Sequence, residues 1–173
     1  MEGITLKKII LFLALVALYG CSDTNVSNEK SSSKEIYEGS FLEVAVVGSK
    51  SLPDIENVQY EYVELGDING NKEEFDALIV TSEAFTEADK NKYNDLYDTI
   101  EYPVFFFGMK DIKMFAFTNR AMTIETSKDE NAAYVEGFKN VDGKKEGLAF
   151  YQSEGNTKKL SDADMLIRIF NSL

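Results

Sequence analysis

The sequence contains no histidine. That absence removes Ser–His–Asp and Cys–His nucleophile systems and histidine-containing zinc sites together. Cysteine is nearly missing as well: Cys21 stands alone, so no disulfide can close within the chain. Basic residues are scarce, 18 Lys and Arg against 30 Asp and Glu, for a net charge of −12. Such a balance disfavours nucleic acid, whose phosphates are bound by Lys and Arg, and direct adsorption to anionic lipid. It suits a domain kept dispersed by its own charge. No apolar run is long enough to span a bilayer, which takes about 17–25 residues. Nor is there a dinucleotide glycine fingerprint. Neither a metal nor a cofactor is expected. The chemistry left open is carboxylate, Ser–Lys or substrate-assisted.

What is present begins at the N-terminus. Lys7 and Lys8 precede residues 9–19 (IILFLALVALY), an apolar run of 11 residues closed by Gly20. A positive region, an apolar core of roughly 7–15 residues and a small-residue exit form the layout of a secretory signal. Leu18-Tyr19-Gly20-Cys21 then resembles the lipobox of bacterial lipoproteins. The resemblance implies a diacylglyceryl (palmitate-type) modification on the Cys21 thiol, with cleavage between Gly20 and Cys21. Two acyl chains give a stable anchor where one gives marginal binding. Loss of Glu2, Lys7 and Lys8 with the signal leaves 29 acidic and 16 basic residues, a charge of −13. Residues 22–40 (SDTNVSNEKSSSKEIYEGS) are polar and cannot bury enough area to order themselves, so 21–40 reads as a lipidated tether.

Residues 41–173 then form one domain, large enough for a core without disulfides. Leu42–Val47 (LEVAVV), 58–65 (VQYEYVEL), 76–81 (DALIVT) and 103–107 (PVFFF) read as strands, most of them the continuous apolar runs of a sheet covered on both faces. Residues 86–100 carry Tyr93, Leu96, Tyr97 and Ile100 at helical spacing, with Thr86 and Asp89 as a capping-box-like start. Further strands are expected at 121–126, 133–139 and 146–152, the last two joined through Asp142-Gly143. A final helix is expected after Ser161, its core face Met165, Leu166, Ile169 and Phe170. The fold class is α/β: a mixed, partly parallel sheet with flanking helices, a three-layer sandwich resembling flavodoxin-like or Rossmann-like domains. An open α+β sheet is the alternative.

Local motifs mostly reduce to turns. Val47-Gly48-Ser49-Lys50-Ser51 lacks the glycine spacing of a phosphate loop. Asp67-Ile68-Asn69-Gly70-Asn71 starts like a calcium loop, but Lys72 and Leu78 occupy places that need Gly and Glu. Phe105-Phe106-Phe107 belongs in a core, while Met114-Phe115-Ala116-Phe117 is a covering flap or a contact surface. One location has a topological argument. Ligands of open α/β sheets bind outside the C-terminal ends of the parallel strands, which here carry Ser49, Lys50, Ser82, Glu83 and Lys110. These five are the candidate ligand- or partner-binding residues, and no catalytic residue is assigned.

The function expected is a lipid-anchored protein of a bacterial cell envelope, presenting a monomeric acidic α/β domain to an envelope protein or a small ligand. The alternative is a membrane-tethered hydrolase using Ser49 or Ser82 with Lys50 and Glu83. That reading requires Lys50 to be hydrogen-bonded to one of the two serines.

Overall fold

The computed structural model describes residues 35–153 and 159–173. The signal segment, Cys21 and the tether up to residue 34 lie outside them. Among the described residues eight strands are present: β1 (Glu35–Ile36), β2 (Leu42–Val47), β3 (Ile55–Glu56), β4 (Val58–Tyr62), β5 (Ala77–Thr81), β6 (Val104–Phe107), β7 (Val135–Val141) and β8 (Lys144–Phe150). Four α-helices accompany them among the described residues: α1 (Phe85–Ala88), α2 (Asn94–Thr99), α3 (Phe115–Thr118) and α4 (Asp162–Phe170).

The main sheet has the order β4-β2-β5-β6-β7-β8. Its first four strands run parallel and the last two are antiparallel. Side chains alternate between two faces. Ala45, Val47, Leu78, Val80 and Phe106 pack under α1, α2, α3 and the turn at Leu65 and Ile68. Val44, Val46, Ile79, Phe105 and Phe107 pack under α4 and the connection through Leu52 and Ile55. The result is the expected three-layer α/β sandwich, with the sheet open at β4 and β8. Every residue of β5 and β6 is buried, which is why both read as unbroken apolar runs.

Both antiparallel strands follow from local chemistry. Asp142 and Gly143 take φ of 49° and 74°, the left-handed pair of a type I′ turn that matches strand twist. Helix α4 starts at a capping box in which Ser161 and Asp164 satisfy each other's backbone N–H. Its Met165, Leu166, Ile169 and Phe170 are all buried, as their spacing requires.

Four elements differ from expectation. Residues 86–100 do not form one helix. Ala88 and Tyr93 are five apart, out of phase for a continuous helix, and a break at the extended Lys90 returns Tyr93 to the sheet through a 3-10 turn, Asn91–Tyr93. The Thr86–Asp89 cap is not made, because the chain is already turning at Ser82–Ala84 when α1 begins. Residues 121–126 are successive turns rather than a strand. Asn119 and Thr126 side chains accept the Ala121 and Thr123 backbone N–H groups, local bonds that compete with a sheet ladder. Strand β4 stops at Tyr62, and Leu65 is buried in a 3-10 turn instead.

The domain also starts earlier than residue 41. β1 pairs parallel with β3, and Asn57 Nδ2 donates to the Tyr37 carbonyl at 3.1 Å. The Tyr37 ring is 7% exposed and meets Phe170 edge-on at 5.9 Å. A lone aromatic in a polar stretch gives no periodicity to mark it, yet it closes the second core. Tyr37→Ala is therefore expected to lower the unfolding free energy by about 3–5 kcal/mol, the range for emptying a buried aromatic site. Urea titration checks this, and a change under about 0.5 kcal/mol, typical of surface positions, would contradict it.

Candidate functional site

The strand order reverses at β2. The connection from β2 to β4 crosses one face through Leu52 and Ile55. The return from β4 to β5 passes back over β2 on the other face, through Leu65 and Ile68. Crossovers departing to opposite faces leave a crevice at the strand ends between them. Here it has a volume of about 710 Å³ and opens over the C-terminal ends of β2, β4 and β5. That size lies within the range of small-molecule sites, about 300–1,000 Å³.

Its floor requires glycine. Gly48 has φ of 117°, and a Cβ there would lie 2.1 Å from Thr81 Oγ1. Thr81 is itself fully buried and donates that hydroxyl to the Val47 carbonyl at 3.2 Å. Ser49 continues the floor, and Tyr62 forms a wall. The Tyr62 hydroxyl accepts from Leu52 N at 3.1 Å and donates to the Lys50 carbonyl at 3.4 Å, so the ring is held at the mouth.

The charges on the lining are all of one sign. Glu64, Asp67, Glu83 and Glu87 contribute to it, and no Lys or Arg does among the described residues. Glu87 accepts from Tyr93 Oη and Lys92 Nζ, each at 2.8 Å, and from Lys90. These bonds hold its carboxyl down at about 2. For Glu83 partial burial acts to raise the carboxyl, but its own backbone N–H, the Thr81 and Ser82 hydroxyls and Lys50 together bring it below the usual value. Both favour the ionised form more than a free carboxylate does. No three Asp, Glu, Cys or His side chains among the described residues converge as a metal's donors would.

The five residues expected at this edge are divided. Ser49 and Glu83 line the crevice. Lys50 turns away: its Nζ bonds Asp162 Oδ2 at 2.8 Å and lies 5.0 Å above the centre of the Phe107 ring. Tyr134 donates to the other Asp162 oxygen at 2.8 Å. Ser82 faces Gly108, where a Cβ would stand 3.6 Å from its Oγ. Lys110 belongs to a separate recess of about 320 Å³ with Tyr134, Tyr151 and Lys159. Among the described residues no hydrogen bond joins Lys50 Nζ to either serine, so the pairing a Ser–Lys nucleophile needs is not formed.

Glu64, Asp67 and Glu87 were not foreseen. The first two follow the end of β4, and applying the strand-end rule to that strand as well would have found them. Asp162 had no sequence signal as a partner of Lys50, because the pair is made by tertiary packing. The calcium-like stretch is a turn: Glu74 accepts from Gly70 N at 2.9 Å, Asn69 N at 3.2 Å and Tyr102 Oη at 3.1 Å, which occupies the carboxylate. In the Met114–Phe117 stretch, Phe117 stacks on Phe106 at 4.2 Å and only Phe115 is exposed.

No family model, curated protein or solved structure matches the chain.

The Lys50–Asp162–Tyr134 link has a pH signature. Burial works to raise the Asp162 carboxyl, but Lys50 and Tyr134 outweigh it and hold it below the ordinary carboxylate value. A carboxyl depressed by folding stabilises the protein above its unfolded value, near 4, and that stability is lost as pH falls through the folded value. Asp162→Asn should cost about 1 kcal/mol at neutral pH, since the partly buried Lys50 and Tyr134 lose a charged acceptor. The gap to the parent should close below about pH 4. Urea titrations across pH measure it, and a gap that persists undiminished in strong acid would contradict the assignment.

Proposed function

We propose that the chain is a lipid-anchored, extracytoplasmic binding protein of a bacterial cell envelope, held by diacylglyceryl-modified Cys21. Its α/β domain captures a small ligand bearing positive charge, such as an organic amine, in the crevice over β2, β4 and β5. The anchor is supported by the apolar run that ends in Leu18-Tyr19-Gly20-Cys21. One observation carries the ligand class: the crevice at the strand-order reversal has Glu64, Asp67, Glu83 and Glu87 on its lining, with no cation among the described lining residues.

Several carboxylates gathered in one concave site attract an amine more strongly than a single carboxylate on a flat surface. The exposed Tyr62 face adds a surface over which an ammonium can lie. Ser49 and the open backbone at Gly48 supply hydrogen-bonding groups at the floor. The domain needs no reaction to do this.

The test is titration of the mature chain with a dansylated alkylamine, read by fluorescence. Saturable binding is expected, weakened at least about tenfold in a Glu64→Gln, Glu83→Gln double variant, equivalent to about 1.4 kcal/mol. Both side chains are exposed, so the melting temperature should hardly move. Undiminished binding by the double variant would sink this reading of the crevice.

A further inference from the structure

The chain enters the domain at one pole and the crevice opens at the other. β1 pairs with β3 just ahead of β4, and Leu42 N, at the start of β2, donates to the Asn57 carbonyl at 2.9 Å. All four parallel strands begin at this proximal pole. Gly48, Ser49, Glu64 and Glu83 follow the far ends of β2, β4 and β5. Helix α4 gives an independent reading of the same axis. Asp162 at its start bonds Lys50 beside the crevice, and Phe170 at its end meets the Tyr37 ring.

We propose that the anchored protein turns its proximal pole to the lipid and its crevice away from it, so that the ligand arrives from the aqueous or wall side. This rests on the Cys21 anchor. Cys21 and Glu35 are 14 residues apart. A polar chain of that length has an r.m.s. reach of roughly 20 Å. A domain of this size has a radius of gyration of about 14 Å, hence a diameter near 37 Å. Laying the crevice on the bilayer would lift the proximal pole by about that diameter. A span of about that diameter exceeds the r.m.s. reach of a polar chain of this length, which disfavours the inverted pose.

Charge does not choose between the poles. Exposed Glu38 and Glu56 stand at the proximal end, and the four carboxylates stand at the other. Apolar exposure does choose. Ile36 and Phe41, 60% and 58% exposed, flank the point of entry and are the most exposed large apolar side chains among the described residues. Resting on the headgroup boundary removes part of that area from water, whereas the inverted pose offers Tyr62, 50% exposed, at the crevice mouth.

The experiment uses the full chain, lipidated in cells, with one new thiol at either pole: Glu56→Cys or Ser49→Cys. Lipidation consumes the Cys21 thiol, so a maleimide fluorophore marks only the new position. The labelled proteins are reconstituted into phosphatidylcholine vesicles carrying a nitroxide on the lipid headgroup. Quenching at position 56 should exceed that at position 49 several-fold. Equal or greater quenching at position 49, on protein whose intact mass includes the diacylglyceryl group, overturns the orientation and leaves the anchor standing. An intact mass lacking that group overturns the anchor, and the orientation with it.

Discussion

The structure depends on β2 being covered on both faces. Val44, Ala45, Val46 and Val47 are at most 4% exposed, so apolar cover must come from above and below the sheet at once. The chain meets that demand by sending its first crossover over one face and its second over the other. Burial of a handful of small aliphatic side chains thereby sets the strand order. The strand order opens the crevice, since two crossovers leaving in opposite directions cannot fill the space between them. Gly48 is the point where fold and site meet. The backbone must turn there at positive φ against Thr81, and the crevice floor is what that turn creates.

A second link ties the far layer to the same edge. Lys50 leaves the end of β2, crosses the Phe107 ring and pairs with Asp162, which also receives the Tyr134 hydroxyl. One carboxylate at the first turn of α4 so joins the ends of β2, β6 and β7. Taking Lys50 out of the crevice has an electrostatic consequence. Its ammonium is matched by Asp162, and Glu64, Asp67 and Glu83 keep the lining negative, while Glu87 is paired with Lys90 and Lys92. Glu83 keeps its charge below the usual carboxylate value because hydrogen bonds favour its ionised form.

Much of this was legible in the residues, for identifiable reasons. β5 and β6 are buried throughout and show as unbroken apolar runs, as does β2 from Val44 onward. α4 shows through Ser161 and the spacing of Met165, Leu166, Ile169 and Phe170. What was not legible depended on tertiary context. Residues 86–100 carry a helical stripe, but Ala88 and Tyr93 can reach the same sheet only if the helix breaks between them. The apolar alternation at Ala121–Met122 and Ile124 sits among hydroxyl and amide groups that bond locally. Tyr37 is an aromatic alone in a polar stretch. At the site, the strand-end rule reached Ser49 and Glu83, whereas Lys50 is drawn to Asp162, Ser82 faces Gly108 and Lys110 lines a separate recess, placements that no local pattern encodes.

The central claim is that the reversal at β2 creates the binding surface. Amide chemical-shift mapping on the isotope-labelled mature domain, titrated with an alkyl diamine, tests it most directly. The account predicts saturable shifts concentrated on Gly48, Ser49, Val63, Glu64 and Glu83, with the amides of α4 and the β7–β8 hairpin unmoved. Shifts gathered instead at Met109, Lys110 and Tyr151, or scattered evenly over the acidic surface, would contradict it.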